Sequence, residues 1–241
     1  MDISVIIPVF NEEENLKLLY KRMTDTLEKI GRSYELVFVN DCSKDSSLAI
    51  LKDIAAQDKR VKVVSFEKNC GQHAAIVAGF ESASGDLQIT IDADLQNPPE
   101  EIEKIAAEFD RGFDHVATVR QTRNDTPFRK YASKAVNKVR KAITRVPITD
   151  QGCMMRGYSK ALSNAIVERA DEHVFIPMLG YRMAKNPTEI LINHAARNAG
   201  ESKYNVFSLA KLALNLFGKQ DDGKPKFLLK NKYKIAEKIG F

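Results

Sequence analysis

Over its first half this chain alternates short apolar runs with amphipathic segments of helical period, and few folds accommodate that alternation. Ile3–Phe10 is an apolar run with Pro8 near its end, which reads as a buried strand. Glu12–Ile30 carries Leu16, Leu19, Met23, Leu27 and Ile30 at spacings of three and four, the mark of an amphipathic helix. Tyr34–Val39 reads as the next strand, and a helix follows Ser46 with Leu48, Ile50, Leu51 and Ile54 on one face. Strand Val61–Phe66, helix Gln72–Ala83, strand Asp86–Ile91 and strand His115–Val119 continue the series. Pro98, Pro99, Glu100 and Glu101 form a helix first turn, where prolines cost no hydrogen bond and acids meet the positive end of the dipole. The rhythm predicts an α/β domain with a mostly parallel central sheet, Rossmann-like in layout and covered by helices.

The second half is looser. Phe128–Ile143 predicts a helix with Phe128, Tyr131, Ala135, Val139 and Ile143 on one face and a dense basic face opposite. Residues 153–185 read as further helical stretches and Glu189–His194 as a strand. Residues 203–241 read as helical and basic, interrupted at Gly218–Pro225. The expected organisation is one domain over residues 1–204 and an amphipathic, basic helical tail over 205–241. No stretch reaches the ~18 apolar residues of a membrane span, and Met1-Asp2 leads straight into the first strand. The expected location is therefore cytoplasmic. Cys42, Cys70 and Cys153 are widely spaced and form neither a zinc pattern nor a disulfide framework, which suits a reducing compartment.

Charge divides sharply along the chain. Residues 1–119 hold 13 Lys/Arg and 22 Asp/Glu, a net of −9, whereas residues 120–241 hold 24 and 10, a net of +14. The second half should attract anions: phosphates, acidic headgroups or nucleic acid. There is no Trp and no nucleic-acid module, so a nucleic-acid binder is the poorest of these readings.

Ligands of open α/β sheets bind outside the carboxyl ends of the strands. Asn11-Glu12, Asn40-Asp41 and Asp92-Ala93-Asp94 all fall at such ends. An Asp after a strand is commonly a turn former or helix cap. That explains one such cluster well and three together badly. Neighbouring carboxylates repel one another and are best stabilised by a divalent cation, and Mg²⁺ or Mn²⁺ takes oxygen ligands while keeping positions open for substrate phosphates.

The segments IPVFNEEENL, VNDCSKDSS, NCGQHAAIVAGF, DADLQNPPE and GESKY together resemble glycosyltransferase family 2, whose nucleotide-sugar-binding domain has the GT-A fold. Within it the chain most resembles polyprenyl-phosphate sugar transferases: the dolichol-phosphate mannose synthases and the bacterial undecaprenyl-phosphate transferases handling aminoarabinose or glucose. The likeness runs from Ile3 to Tyr204. It implies that Pro8, Phe10 and Glu12 lie along the nucleoside of a donor, expected to be uridine with guanosine as the alternative that similar enzymes use, and that Val39 and Asp41 hold the base. Asp92 and Ala93 would border ribose and diphosphate, and Asp94 and Gln96 would ligate Mg²⁺ or Mn²⁺. Arg120, Arg197 and Lys203 would surround the phosphates, and Asp150 would stand on the acceptor side. The family's usual Asp-Asp-Gly-Ser reads Asn40-Asp41-Cys42-Ser43 here, so the local hydrogen bonds around the base differ. His73 is balanced between a helix cap and a sugar contact; His115, His173 and His194 read as structural or surface residues.

The implied reaction is inverting displacement at the anomeric carbon, with Asp94, Arg120 and Asp150 nearest the chemistry. A sugar hydroxyl acceptor needs a carboxylate base, for which Asp150 is the candidate. A lipid phosphate is already an anion and needs cations instead; Arg120, Arg123, Arg129, Lys130 and Lys134 suit it. Arg120 to Arg145 contains nine Lys/Arg and one acid, Asp125, which predicts an interfacial helix rather than an ordinary solvated face. Enzymes of this type often continue into C-terminal transmembrane helices. Val206–Phe217 is too short to span, but could lie in the membrane surface or pack on protein, followed by seven Lys from Lys219 to Lys238. The expected protein is thus a peripheral enzyme on the inner face of the cytoplasmic membrane, working on a polyprenyl phosphate. The alternatives are a soluble transferase with a saccharide acceptor and, from another class, a non-catalytic binder. The sequence leaves the sugar and the oligomeric state open.

Overall fold

A computed structural model of the protein describes residues 1–121, 148–150, 152–169, 175–195 and 233–241. Among these, eight strands form one sheet: β1 Ile3–Val9, β2 Tyr34–Asn40, β3 Val61–Phe66, β4 Leu87–Thr90, β5 His115–Arg120, β6 Arg156–Ser159, β7 Pro187–Ile192 and β8 Ile235–Ile239. Their order is β7-β5-β6-β4-β1-β2-β3-β8. β4, β1, β2 and β3 are mutually parallel, β6 runs antiparallel between β4 and β5, and β8 runs antiparallel along β3. The described helices are α1 Glu13–Ile30, α2 Ser47–Gln57, α3 Gln72–Ser82, α4 Ile102–Asp110, α5 Lys160–Glu168 and α6 Ile176–Met183, with a 3₁₀ turn at Pro99–Glu101 before α4.

The apolar run of β1 follows from burial on both sides. Ile3, Val5 and Ile7 pack with Leu16, Leu19 and Met23 of α1, whereas Ile6 points the other way, into a core with Val37, Val64 and the alanines of α3. That second layer is tight: a Cβ on Gly79 would lie 2.2 Å from Ile6 Cγ2, so α3 packs on β1 with a glycine at the crossing. α1 ends where its periodicity predicts. Gly31, at φ 74°, takes the left-handed cap, and its N–H donates to the carbonyls of Leu27 and Glu28.

Two elements differ from the sequence reading. Residues 153–185 contain, besides α5 and α6, the strand β6, whose Arg156 and Tyr158 are fully buried. Four residues of mixed polarity carry too little alternation to announce a strand. The helical reading of residues 203–241 fails at their end. Ile235, Glu237 and Ile239 alternate with the exposed Ala236 and Lys238, and the segment covers the edge of β3 through pairs such as Val64↔Lys238 and Ser65↔Glu237. An uncovered edge would leave a row of unpaired backbone groups. Tyr233 stacks on Phe66 at 4.9 Å, and Glu67 N–H donates to the Lys234 carbonyl at 3.0 Å. The last residues therefore brace the end of β3 and the loop that leaves it. The rest of the tail, and the helix expected over 128–143, lie outside the described residues. No helix among the described residues is long and apolar enough to cross a membrane.

Tyr233→Ala removes both the stacked ring and its buried area, and should lower stability by about 1–2 kcal/mol in urea unfolding. An unchanged midpoint would show that β8 does not depend on this contact.

Candidate active site at the carboxyl ends of the parallel strands

Because β4, β1 and β2 are neighbours and parallel, the loops after Thr90, Val9 and Asn40 open at the same end of the sheet, with the loop after β3 beside them. The backbone is unusual there. The non-glycine residues at positive φ among those described are Asn11 (53°), Cys42 (58°) and Leu95 (60°), and all three lie in these loops. Such conformations cost roughly 1–3 kcal/mol each and persist where surrounding contacts over-determine them. The contacts are visible: Asn11 N–H donates to Ser43 Oγ, Asn11 Oδ1 accepts from Lys44 N–H, and Glu12 N–H donates to Ser47 Oγ. Cys42 stands at a positive φ where the family pattern has glycine, and its thiol reaches the Glu67 carbonyl at 3.6 Å.

Asp41, only 3% exposed, is the best-held acid of the site. Its Oδ1 accepts from Cys70 N–H at 2.6 Å, and its Oδ2 from Gly71 N–H at 2.8 Å and Asn69 Nδ2 at 2.9 Å. Burial raises its pKa, while the N–H groups of Cys70 and Gly71 pull it back. A carboxylate offers about four acceptor positions, so these donors leave room for one more. Asn40 bridges Ser65 Oγ and Ser43 N–H, which is how the altered first position of the motif settles its hydrogen bonds. The Val39 side chain is fully buried in the α3-side core, so only its main chain is left to meet a ligand.

Asp92 and Asp94 follow β4. Asp92 is pushed up to about 7, first by burial and then by the charge of Asp94, with Gln72 and Arg120 acting the other way and Glu12 adding to the rise. These groups thus share one electrostatic neighbourhood. Asp94 Oδ1 accepts from Gln96 N–H at 3.1 Å, which fixes the turn, and the Gln96 carbonyl accepts from Ala195 N–H at 2.8 Å. Among the described residues no three His, Cys, Asp or Glu side chains converge as a ligand set. Two repelling carboxylates and an amide at a strand end nevertheless suit a hard cation that takes its remaining ligands from a diphosphate.

Arg120, at the end of β5, is forked to Asp150: Nε to Oδ2 at 2.7 Å and Nη2 to Oδ1 at 2.9 Å. Burial acts to lower the Arg120 pKa, but the hydrogen bonds and charge of Asp150 carry it above its ordinary value. Behind the pair, the fully buried Arg156 donates to the carbonyls of Asp150 and Cys153, at 2.6 and 2.8 Å. Gly152 lies close against the pair: a Cβ there would stand 3.1 Å from Arg120 Nη2, so a larger residue would press on the guanidinium.

The structure thus gathers Pro8, Phe10, Glu12, Val39, Asp41, Asp92, Ala93, Asp94 and Gln96 in the loops and strand ends of one edge, with Arg120 in electrostatic reach. Arg123, Arg129, Lys130, Lys134, Arg197 and Lys203 lie outside the described residues. His73 is not the helix cap; Gly71 holds that position, and the His73 ring stands edge-on to Phe175 at 5.2 Å. Burial pushes it down to about 4. His115 is structural, buried with Nδ1 on the Gly157 carbonyl. Burial pushes the Cys70 and Cys153 thiols up, in keeping with inert, reduced sulfur. Sequence reasoning missed Asn69, Gln72 and Arg156. Asn69 and Gln72 lie in the NCGQHAAIVAGF segment that carries the resemblance, and Gly71, a glycine at a strand-to-helix junction, marks the loop as specially shaped, but neither signal gives these side chains a role.

Asp41→Ala strips an acceptor from two backbone N–H groups and an amide, and should cost on the order of 3 kcal/mol in urea unfolding, since each orphaned donor costs about 1–3 kcal/mol. Asp41→Asn should also destabilise, because its NH₂ must face a backbone donor. A wild-type midpoint in the alanine variant would mean that the loop is held by something else.

Comparison with known proteins agrees with this layout. Glycosyl transferase family 2 matches residues 4–167. An undecaprenyl-phosphate 4-deoxy-4-formamido-L-arabinose transferase of Pseudomonas fluorescens is 44% identical over 215 residues, covering 89% of this chain and 63% of that protein. One of the same name from an Enterobacter species is 43% identical, over 89% of this chain and 66% of that protein. The match therefore spans less than two thirds of the length of these relatives. Among solved structures, glucosyl-3-phosphoglycerate synthase from Mycobacterium tuberculosis, in complex with Mn²⁺, uridine diphosphate and glucosyl-3-phosphoglycerate, has the same fold, with a TM-score of 0.61 at 17% identity over 90% of this chain and 77% of that one. By the family match and by its relatives, the chain belongs to glycosyl transferase family 2.

Proposed function

We propose that this chain moves a sugar, with inversion, from a uridine diphosphate donor to a polyprenyl phosphate at the membrane surface, in the synthesis of a cell-envelope glycan. The observation that supports this acceptor is the Arg120–Asp150 fork. A carboxylate held by two charge-assisted hydrogen bonds is a weak proton acceptor, and a sugar hydroxyl cannot react without losing its proton. A phosphate monoester is already anionic at neutral pH and needs no base. The relatives named as undecaprenyl-phosphate transferases support the same acceptor class.

In this reading Pro8, Phe10 and Glu12 lie along the nucleoside, Asp41 accepts from the base with its remaining position, and Asp92 and Ala93 border ribose and diphosphate. Asp94 and Gln96 would hold Mg²⁺ or Mn²⁺, a choice supported by the Mn²⁺ and uridine diphosphate in the mycobacterial synthase of the same fold. Such a cation, when bound, offsets the charge that develops on the leaving diphosphate. Arg120 supplies positive charge at the same place, with Arg197 and Lys203 assigned to the phosphates by the family pattern. Arg123, Arg129, Lys130 and Lys134 meet the acceptor phosphate, and the lysines that follow Phe217 favour an anionic bilayer.

The test is transfer from a panel of uridine diphosphate sugars, including 4-deoxy-4-formamido-L-arabinose, with Mn²⁺ and either a short polyprenyl phosphate or a saccharide as acceptor. The lipid phosphate should be glycosylated, and Asp150→Asn should keep activity within about tenfold, about 1.4 kcal/mol of barrier. Binding to anionic vesicles should weaken as salt rises. Transfer only to a saccharide hydroxyl, abolished by Asp150→Asn, would contradict the proposal.

A further inference from the structure

The loop between β3 and α3 reaches both acidic centres of the site at once. Its Asn69 side chain and the N–H groups of Cys70 and Gly71 hold Asp41, and the next residue, Gln72, donates from Nε2 to Asp92 Oδ1 at 2.5 Å. Gly71 makes this geometry accessible. It sits at φ 92° and ψ 161°, a conformation costly for any residue with a Cβ, although a Cβ there would meet nothing within 4 Å. Glycine is thus required for backbone shape and not for space. The turn aims two consecutive N–H groups at Asp41 and delivers the first side chain of α3 to Asp92.

We infer that Gln72 is a positioning residue for the transfer reaction: its amide fixes the Asp92 carboxylate, and the loop 69–72 sets Asp92 in register with Asp41. The inference deepens the proposed function and rests on it. Asp92 Oδ2 has no partner among the described residues. The bond to Oδ1 therefore orients the carboxylate and leaves its other oxygen to accept from a further donor or a cation. The residue type matters as much as the contact. A lysine would reach as far, but would neutralise Asp92 and compete with a cation. A neutral amide holds the carboxylate and leaves its charge in place. Gln72 also stands one residue from the Gly71 N–H that Asp41 holds, so a shift at the base end would be passed to the diphosphate end through a single peptide unit.

The test uses Gln72→Met, which keeps length and packing but cannot donate, and Gln72→Lys, which adds a cation. Uridine diphosphate binding is measured by calorimetry over a Mn²⁺ titration, alongside the thermal midpoint. Gln72→Met should weaken binding about five- to tenfold at saturating Mn²⁺ and shift the Mn²⁺ midpoint upward, with the metal-free affinity and thermal midpoint as in wild type. Gln72→Lys should reduce the enhancement by Mn²⁺ further. Wild-type Mn²⁺ dependence in Gln72→Met would overturn the inference while leaving the proposed function standing. A large drop in its thermal midpoint would overturn it too, by assigning Gln72 to the fold. Metal-independent binding by the wild-type protein would overturn both.

Discussion

A parallel sheet covered on both faces takes up charge only where it is paired, as Glu35 of β2 is with Lys62 and Ser4, and otherwise leaves it to the ends of the strands. Here Ile3, Val5 and Ile7 are taken up by one helical layer and Ile6 by the other, so an unpaired carboxylate can follow β1 only after Val9. The same holds for β2 and β4. The acids of the site are placed by this exclusion: Asp41, Asp92 and Asp94 are the first carboxylates the chain can carry once each strand leaves the core. Their mutual repulsion is what makes an arriving cation or a fixed donor valuable.

Placement alone would leave those carboxylates loose. The loop after β3 restrains Asp41 and Asp92, and that loop is in turn restrained from outside. Tyr233 stacks on Phe66, the Glu67 N–H is tied to Lys234, and β8 covers the edge of β3. On the other flank, Arg156 grips the carbonyls of Asp150 and Cys153 from within the core while Arg120 takes the Asp150 carboxylate. Fully buried Arg156 has no carboxylate partner of its own among the described residues; it is spent on holding a loop. Both flanks show a site whose reactive groups are positioned by backbone contacts from elements far away in sequence.

This explains what could be read in advance. The strands β1 to β3 and the helix α1 announce themselves because their apolar spacing is dictated by burial, and Asp92-Ala93-Asp94 because two acids at a strand end are hard to explain otherwise. β6 is four residues long, and its Tyr158 is accommodated by the ring of His115 and by Gly180, whose Cβ would come within 2.8 Å of the Tyr158 ring; such fits are tertiary and leave no periodic trace. β8 is hidden in a lysine-rich stretch, and its alternation gains meaning only against β3. The bond from Gln72 to Asp92 joins residues on different elements, and although Gln72 lies in the NCGQHAAIVAGF segment, nothing in the sequence says which side chain it meets. Period-two alternation puts the Val39 side chain opposite Phe38 and into the core, which the resemblance alone does not show, and leaves its main chain for a ligand.

The central claim is that the carboxyl ends of β1, β2 and β4 bind a nucleoside diphosphate together with a divalent cation. Diffraction from crystals grown with uridine diphosphate and Mn²⁺, recorded at the manganese absorption edge, tests it directly. The account predicts one anomalous peak within ligand distance of an Asp94 oxygen and of the diphosphate, with the uracil beside Asp41. A nucleotide bound elsewhere, or bound there with no anomalous peak, would contradict it.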